Sequence, residues 1–145
     1  MANHRECRAI AQSPESLFDI VADVERYPEF LPLVSSARIV NRHENAYETE
    51  QSLSLGLLTH RFRTRTEFER PRRITVVSQD RSFSRFNIRW DFSPLGDDRC
   101  QVEFSLDCET RLLLLKPVMQ MLIMPMATSM VSAFEARANV LSRKT

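Results

Sequence analysis

Between about residues 35 and 111, apolar and polar side chains take turns along the chain. Over 60–69, Phe62, Thr64, Thr66 and Phe68 fall on one side, and Arg61, Arg63, Arg65, Glu67 and Glu69 on the other. Over 86–92, Phe86, Ile88, Trp90 and Phe92 alternate with Asn87, Arg89 and Asp91. Over 100–110, Cys100, Val102, Phe104, Leu106 and Cys108 alternate with Gln101, Glu103, Ser105, Asp107 and Glu109. A period of two is that of a strand, and its regularity predicts an antiparallel sheet with one dry and one wet face. Turn-forming residues at 41–45, 70–71, 80–84 and 94–98 divide the stretch into strands. With a further strand at 4–12, the sheet has about seven.

The rest of the chain reads as helix. Ser13 is placed to cap a helix that Pro14 opens, and Leu17, Ile20, Val21 and Val24 give it one apolar stripe. A second short helix or turn follows at 27–32, holding Pro28 and Pro32. Residues 112–142 carry the pattern of one long helix, ~45 Å at 1.5 Å per residue. Met119, Leu122, Ile123, Met126, Met130, Ala133, Phe134 and Leu141 lie on one arc, with Gln120, Thr128, Ser132, Glu135 and Asn139 opposite. Pro117 falls near the start, and Pro125 is expected to kink the helix. From Pro117 to Phe134 there are 18 residues without a charge, the length at which a membrane span must be considered. The two prolines and the polar back face weigh against a span, and the dry sheet face needs a cover that only this helix supplies. The expected fold is α+β: a single domain, 1–145, whose sheet wraps around a long C-terminal helix, with two short helices after the first strand.

Composition narrows the function. With 43% apolar and 27% charged residues the chain is a globule and not a disordered segment. A net charge of +1 argues against a general polyanion binder, and two glycines are too few for a Gly-rich phosphate loop. Cys7, Cys100 and Cys108 form no C-x-x-C pair. On one strand Cys100 and Cys108 would stand ~26 Å apart, too far to bridge. Buried thiols in a reducing compartment are expected, and the charged N-terminus without an apolar leader points to the cytoplasm.

A sheet curved around a helix leaves an interior space, and an unfilled apolar space is where a ligand goes. Five of the six methionines (Met119, Met121, Met124, Met126 and Met130) lie in the covering helix, and methionine adapts to variable apolar guests. The expected lining is Leu53, Phe62, Phe68, Trp90, Phe104, Met119, Ile123, Met126 and Met130. Trp90 has two readings: a core ring, or a platform for a ligand ring. Met121 and Met124 fall on the back of the arc, suited to the N-terminal helices, a lipid surface or a partner. Catalysis finds little support. His4, His43 and His60 are scattered, no nucleophile or metal-ligand motif is present, and Glu103, Asp107 and Glu109 fall on the wet face as partners for arginines. Tyr27, Tyr47 and Arg137 are the polar candidates for the interior. Arg137, near the helix end, either reaches solvent or meets a ligand carbonyl.

Three stretches carry a family resemblance. Residues 21–32 (Val-Ala-Asp-Val-Glu-Arg-Tyr-Pro-Glu-Phe-Leu-Pro) resemble the N-terminal signature of the coenzyme Q-binding START-like family. Trp90-Asp91-Phe92 with Val102-Glu103-Phe104-Ser105-Leu106 is similar to its late-strand pattern, and Ala133-Phe134-Glu135-Ala136-Arg137-Ala138 to its C-terminal helix. One departure is Cys108, where the pattern has an aromatic residue. The resemblance implies a helix-grip fold and a non-enzymatic carrier or chaperone. Its cargo would be ubiquinone or a related isoprenoid lipid, held as a ligand with no further cofactor, in support of respiration and quinone biosynthesis. Eukaryotic members of the family are mitochondrial, and the arginine-rich stretch 60–89 is equally suited to the anionic head groups of an inner membrane, as a peripheral contact. The family's bacterial members include a ribosome association toxin, and the wider superfamily contains polyketide cyclases. A ribosome-directed regulator is therefore the alternative, and a cyclase-like enzyme the third reading. For the alternative, residues 60–89 hold nine arginines against Glu67, Glu69 and Asp80. Arg61, Arg63, Arg65, Arg72 and Arg73 are the candidate contacts, unless neighbouring carboxylates neutralise them.

Overall fold

The computed structural model describes residues 2–96 and 98–143, with side chains except those of Ala2, Leu55, Val118, Met119 and Leu122. Seven antiparallel strands form one sheet: β1 (Ala2–Ile10), β2 (Val34–Arg42), β3 (Ala46–Leu55), β4 (Leu58–Glu69), β5 (Arg73–Val77), β6 (Phe83–Pro94) and β7 (Cys100–Thr110). Their order is β1-β7-β6-β5-β4-β3-β2, so β1 closes the edge beside the last strand. The alternation seen in the sequence becomes the two faces. Phe62, Thr64 and Thr66 are buried on β4 between exposed arginines, and all six inward positions of β7 are buried. Trp90 pairs across to Phe104 in the register of β6 with β7.

Helix α1 (Pro14–Ala22) starts as expected: the Ser13 hydroxyl accepts from the Ser16 amide at 3.1 Å, and Pro14 takes the first turn. Leu17, Phe18 and Val21 press it onto the dry face. Val24 does not continue its stripe. The Asp23 amide turns back to the Ile20 carbonyl, which ends the helix, and Val24 opens a 3-10 turn over Val24–Glu29. Strand β1 likewise ends at Ile10 and not at residue 12, because its pairing with β7 stops where Ile10 meets Cys100.

The long C-terminal helix of the sequence reading is in fact segmented. A 3-10 turn (Leu113–Leu115), one α-helical turn (Lys116–Val118), a π-helical turn (Met119–Ile123) and a short helix α2 (Met124–Thr128) precede the main helix α3 (Met130–Arg143). Pro117 and Pro125 have no amide hydrogen to donate, so the regular ladder fails around them. The break falls at Ser129, beyond Pro125, where the Ser129 amide bonds to the carbonyls of Pro125 and Met126 at 3.2 Å each. Leu141, placed on the apolar arc by periodicity, is exposed. Ala127, Val131 and Ala138 are fully buried instead. Among the described residues no helix is long and apolar enough to cross a membrane.

The thiols also differ from expectation. Cys100 and Cys108 are buried and all three cysteines are free, but Cys7 is exposed. It lies on the wet face of β1, where the Gln101 amide donates to its sulfur at 3.0 Å.

Candidate functional site

Between the dry face of the sheet, the segment after α1 and the C-terminal cover lies an apolar cavity of about 100 Å³. Seven of the nine residues expected to line it do so: Leu53, Phe62, Trp90, Phe104, Ile123, Met126 and Met130. Phe68 does not. Its ring packs on Phe18 (6.1 Å) and Tyr47 (5.7 Å), in the part of the sheet that α1 covers. The Met119 side chain lies outside the described residues. Sequence reasoning missed Ile74, Val76, Phe86, Ile88 and Leu106, which share the parity of residues it named. It also missed Val21, Val24 and Leu31, which reach the cavity because the chain after α1 folds across the sheet. Gln51 was missed because it is polar.

The cavity wall has two textures. Trp90 is wedged among Phe104 (4.6 Å), Phe134 (5.1 Å) and Phe92 (6.1 Å, stacked). It is a core ring, with only part of its surface left for the cavity. Phe62, Phe83 and Phe86 form a second cluster, with centroids 5.0–5.6 Å apart. The polar contribution is small. The Gln51 amide nitrogen donates to the hydroxyls of Thr49 (3.1 Å) and Thr64 (3.3 Å), which bond to each other at 2.5 Å. The Tyr47 hydroxyl donates to the Ala22 carbonyl at 2.7 Å, and that of Tyr27 to the Val21 carbonyl. Burial pushes both phenols above their ordinary range and the Cys108 thiol up to about 12. The wall is therefore uncharged at neutral pH. At about 100 Å³ the cavity is smaller than the ~150 Å³ apolar cavity that accommodates benzene, so a guest of one ring or more enters only where the wall gives way.

Arg137 does not enter the cavity but reaches the surface. Its guanidinium pairs with Glu29 at 2.8 Å and lies 5.1 Å over the Phe30 ring, tying α3 to the Val24–Glu29 turn. Met121 is exposed, while Met124 packs against the core.

On the wet face most of the arginines are paired. Arg73 meets Asp91 at 2.8 Å, Arg89 meets it at 2.7 Å, and Arg85 bridges Asp107 (3.1 Å) and Glu109 (2.9 Å). Burial alone would raise the Asp91 carboxyl, but the hydrogen bonds from Arg89 and Arg73 outweigh it and hold the group below its usual value. Glu103, expected as a further partner, has no ion pair among the described residues, in contrast to Asp107 and Glu109. Of the five proposed ribosome contacts, Arg63, Arg72 and Arg73 face carboxylates within 4 Å. Among the described residues Arg61 and Arg65 have no such partner, and no cluster of side chains suited to a metal ion occurs.

An antiparallel sheet gripping a C-terminal helix over an uncharged cavity defines a START-like helix-grip domain. Residues 10–135 match the polyketide cyclase/dehydrase and lipid transport family, and the chain belongs to that family. It is 32% identical to the ribosome association toxin RatA of Pseudomonas aeruginosa over 142 residues, 97% of this chain and 99% of the relative. It is 24% identical to the mitochondrial coenzyme Q-binding protein COQ10 homolog B of Xenopus laevis over 139 residues, 93% of this chain and 57% of that protein. The solved structure of a START superfamily protein from Mycobacterium smegmatis superposes with a TM-score of 0.80 at 22% identity, covering 97% of this chain and 99% of that one.

Proposed function

We propose that the protein carries ubiquinone or a related isoprenoid lipid in its interior cavity, as a chaperone supporting respiration and quinone biosynthesis rather than as an enzyme. The observation that carries this reading is the uncharged cavity, lined by Phe, Leu, Ile, Trp and Met, with one amide, Gln51, whose nitrogen a ring carbonyl can take over from the Thr49 or Thr64 hydroxyl. The printed name of the Xenopus relative, a coenzyme Q-binding protein, supports the choice of guest. Burying a methylene is worth ~0.8 kcal/mol, so an isoprene unit gains about 4 kcal/mol over water. A bilayer already supplies that gain. A carrier therefore needs only to match the membrane, and a loose lining does so without trapping the cargo. The cavity is smaller than a head-group ring needs, so ring and tail alike require Met126, Met130 and the chain around them to give way.

Organic extraction and native mass spectrometry of protein purified from its own membranes test the reading. Quinone in the extract, lowered by Trp90→Ala, is the expected result. Stoichiometric quinone-free protein from a quinone-rich source overturns it.

A second reading, association with the ribosome, is supported by the name of the Pseudomonas relative and by the unpaired, exposed Arg61 and Arg65. It predicts salt-sensitive co-sedimentation with ribosomes that Arg61→Glu and Arg65→Glu abolish. The cyclase-like reading is the weakest: the interior phenols already donate to backbone carbonyls, and burial holds them and Cys108 in their neutral forms.

A further inference from the structure

One end of the sheet gathers most of the large apolar side chains that the fold leaves outside. The β3–β4 hairpin presents Leu57 and Leu58, the chain after β7 presents Leu112, Leu113 and Leu114, and the π turn presents Met121. These are six of the ten such side chains exposed among the described residues, with Leu57 fully exposed and Leu114 at 82%. Hydrogen bonds bring the two leucine groups to the same end. The His60 ring meets the Ser82 hydroxyl at 3.0 Å, the Thr110 hydroxyl donates to the Ser82 carbonyl at 2.8 Å, and the Leu112 amide donates to the Thr110 hydroxyl at 3.1 Å. Leu53, Phe62, Phe83 and Ile123, all lining the cavity, flank this tip along the same elements. Scattered leucines on a surface need no explanation, but a cluster adjoining an apolar cavity does.

The charges around the tip are mostly positive. Among the described residues Arg61, Arg81, Arg111 and Lys116 have no carboxylate within ion-pair distance. Of the acids at this end Glu109 is paired with Arg85, and Asp80, which accepts from the Ser82 hydroxyl (2.7 Å) and amide (3.0 Å), keeps its charge and leaves the four cations in excess. At the other end Arg70 is matched by Asp19 at 2.9 Å and Arg73 by Glu69 at 3.7 Å, while Arg42 and Arg99 have no carboxylate within ion-pair distance among the described residues but no leucine cluster beside them. An apolar tip rimmed by unmatched cations is complementary to an anionic bilayer, whose acyl boundary takes the leucines and whose head groups take the cations.

We propose that this end of the protein docks on an anionic membrane surface through Leu57, Leu58 and Leu112–Leu114, with Arg61, Arg81, Arg111 and Lys116 on the head groups. RNA would engage the cations but leave the leucines in water, and among the described residues no exposed aromatic ring at this end offers a base a stacking surface. The proposal goes beyond the cargo reading and does not need it.

Flotation with vesicles tests it. The protein is mixed with phosphatidylglycerol/phosphatidylcholine vesicles, with pure phosphatidylcholine vesicles and, separately, with ribosomes. Binding to the mixed vesicles only, weakened at about 1 M salt where screening reaches within ~3 Å, is the expected result. Leu57→Ser with Leu113→Ser and Leu114→Ser lowers vesicle binding at least about tenfold, and Arg61→Glu with Arg81→Glu removes the preference for anionic lipid. All of these side chains are exposed, so an unchanged thermal melt shows that the variants fold. Undiminished binding by the leucine variant overturns the proposal. So does co-sedimentation with ribosomes in the absence of vesicle binding. Quinone content, read on the same preparations, tests the cargo separately: quinone-free protein that still floats leaves the docking surface standing.

Discussion

The cover over the cavity has two halves, continuous in sequence and both apolar, that are held very differently. Helix α3 is anchored from every side. Phe134, 2% exposed, touches the rings of Tyr27 (5.4 Å), Phe30 (5.1 Å) and Trp90 (5.1 Å). Arg137 reaches Glu29, Arg8 reaches Ser132 (2.8 Å) and Glu135 (3.2 Å), and Gln12 reaches Asn139 (3.1 Å). The chain from Leu113 to Ser129 changes helical type several times, and the hydroxyls of Thr128 and Ser129 bond back within it, to Pro125 and Met126. Leu113, Leu114 and Met121 face water. Local opening costs least where buried contacts are few. The first half is thus the part of the cover that can yield to a guest, and α3 the part that fixes the fold.

The sharpest way to break this contrast is truncation of one side chain in each half. Phe134→Ala empties a fully enclosed site and should cost ~3–5 kcal/mol in urea unfolding, enough to leave little of a typical domain's stability. Met121→Ala should stay within ~0.5 kcal/mol. Comparable losses would erase the distinction. Amide hydrogen exchange sharpens it further: amides of 113–129 should exchange at least about tenfold faster than those in the middle of α3.

A smaller effect probes the cavity wall beneath the yielding half. Gln51→Leu keeps the Thr49–Thr64 hydrogen bond but removes the amide's bonds to both hydroxyls, so stability should fall by about 1 kcal/mol. Losing the amide should weaken a carbonyl-bearing guest by about 1 kcal/mol, roughly fivefold, while leaving a plain hydrocarbon guest unaffected. Equal retention of both guests would make Gln51 a structural residue only.

How much of this was legible in the sequence depends on whether local pattern or long-range contact decides. Strand parity is local, so the two faces of β4, β6 and β7 could be read from the alternation, and most of the lining with them. Phe68 shows the limit. It has the right parity, but the position of α1, which no pattern in β4 encodes, removes it from the cavity. The segmented cover was illegible for a related reason: periodicity averages over a window, and Pro125 fixes that the ladder fails but not where the chain recovers. Arg137 was seen as anomalous on an apolar arc, yet its partner Glu29 is distant in sequence and could not be foreseen. Cys7 was misread because a single cysteine carries no parity of its own.

The smallest effect concerns the thiols and reports on whether the cover is closed. Cys108 lines the cavity at 3% exposure, whereas Cys7 is open to solvent. At neutral pH a maleimide should label Cys7 first, because Cys108 requires both an opening of the cover and loss of a proton that burial holds up to about 12. The same burial gives a pH dependence of known sign. An unfolded chain releases the thiol proton near ~8.5, so between there and about 12 the unfolded state binds fewer protons and stability falls as pH rises. Below that window the contribution is fully present. Cys100, raised by burial in the same direction, adds to the slope, and Cys108→Ala should flatten it without removing it. Equal labelling of Cys7 and Cys108 at neutral pH would mean that the cover stands open in the unliganded protein, and the contrast between its two halves would then describe a gap rather than a latch.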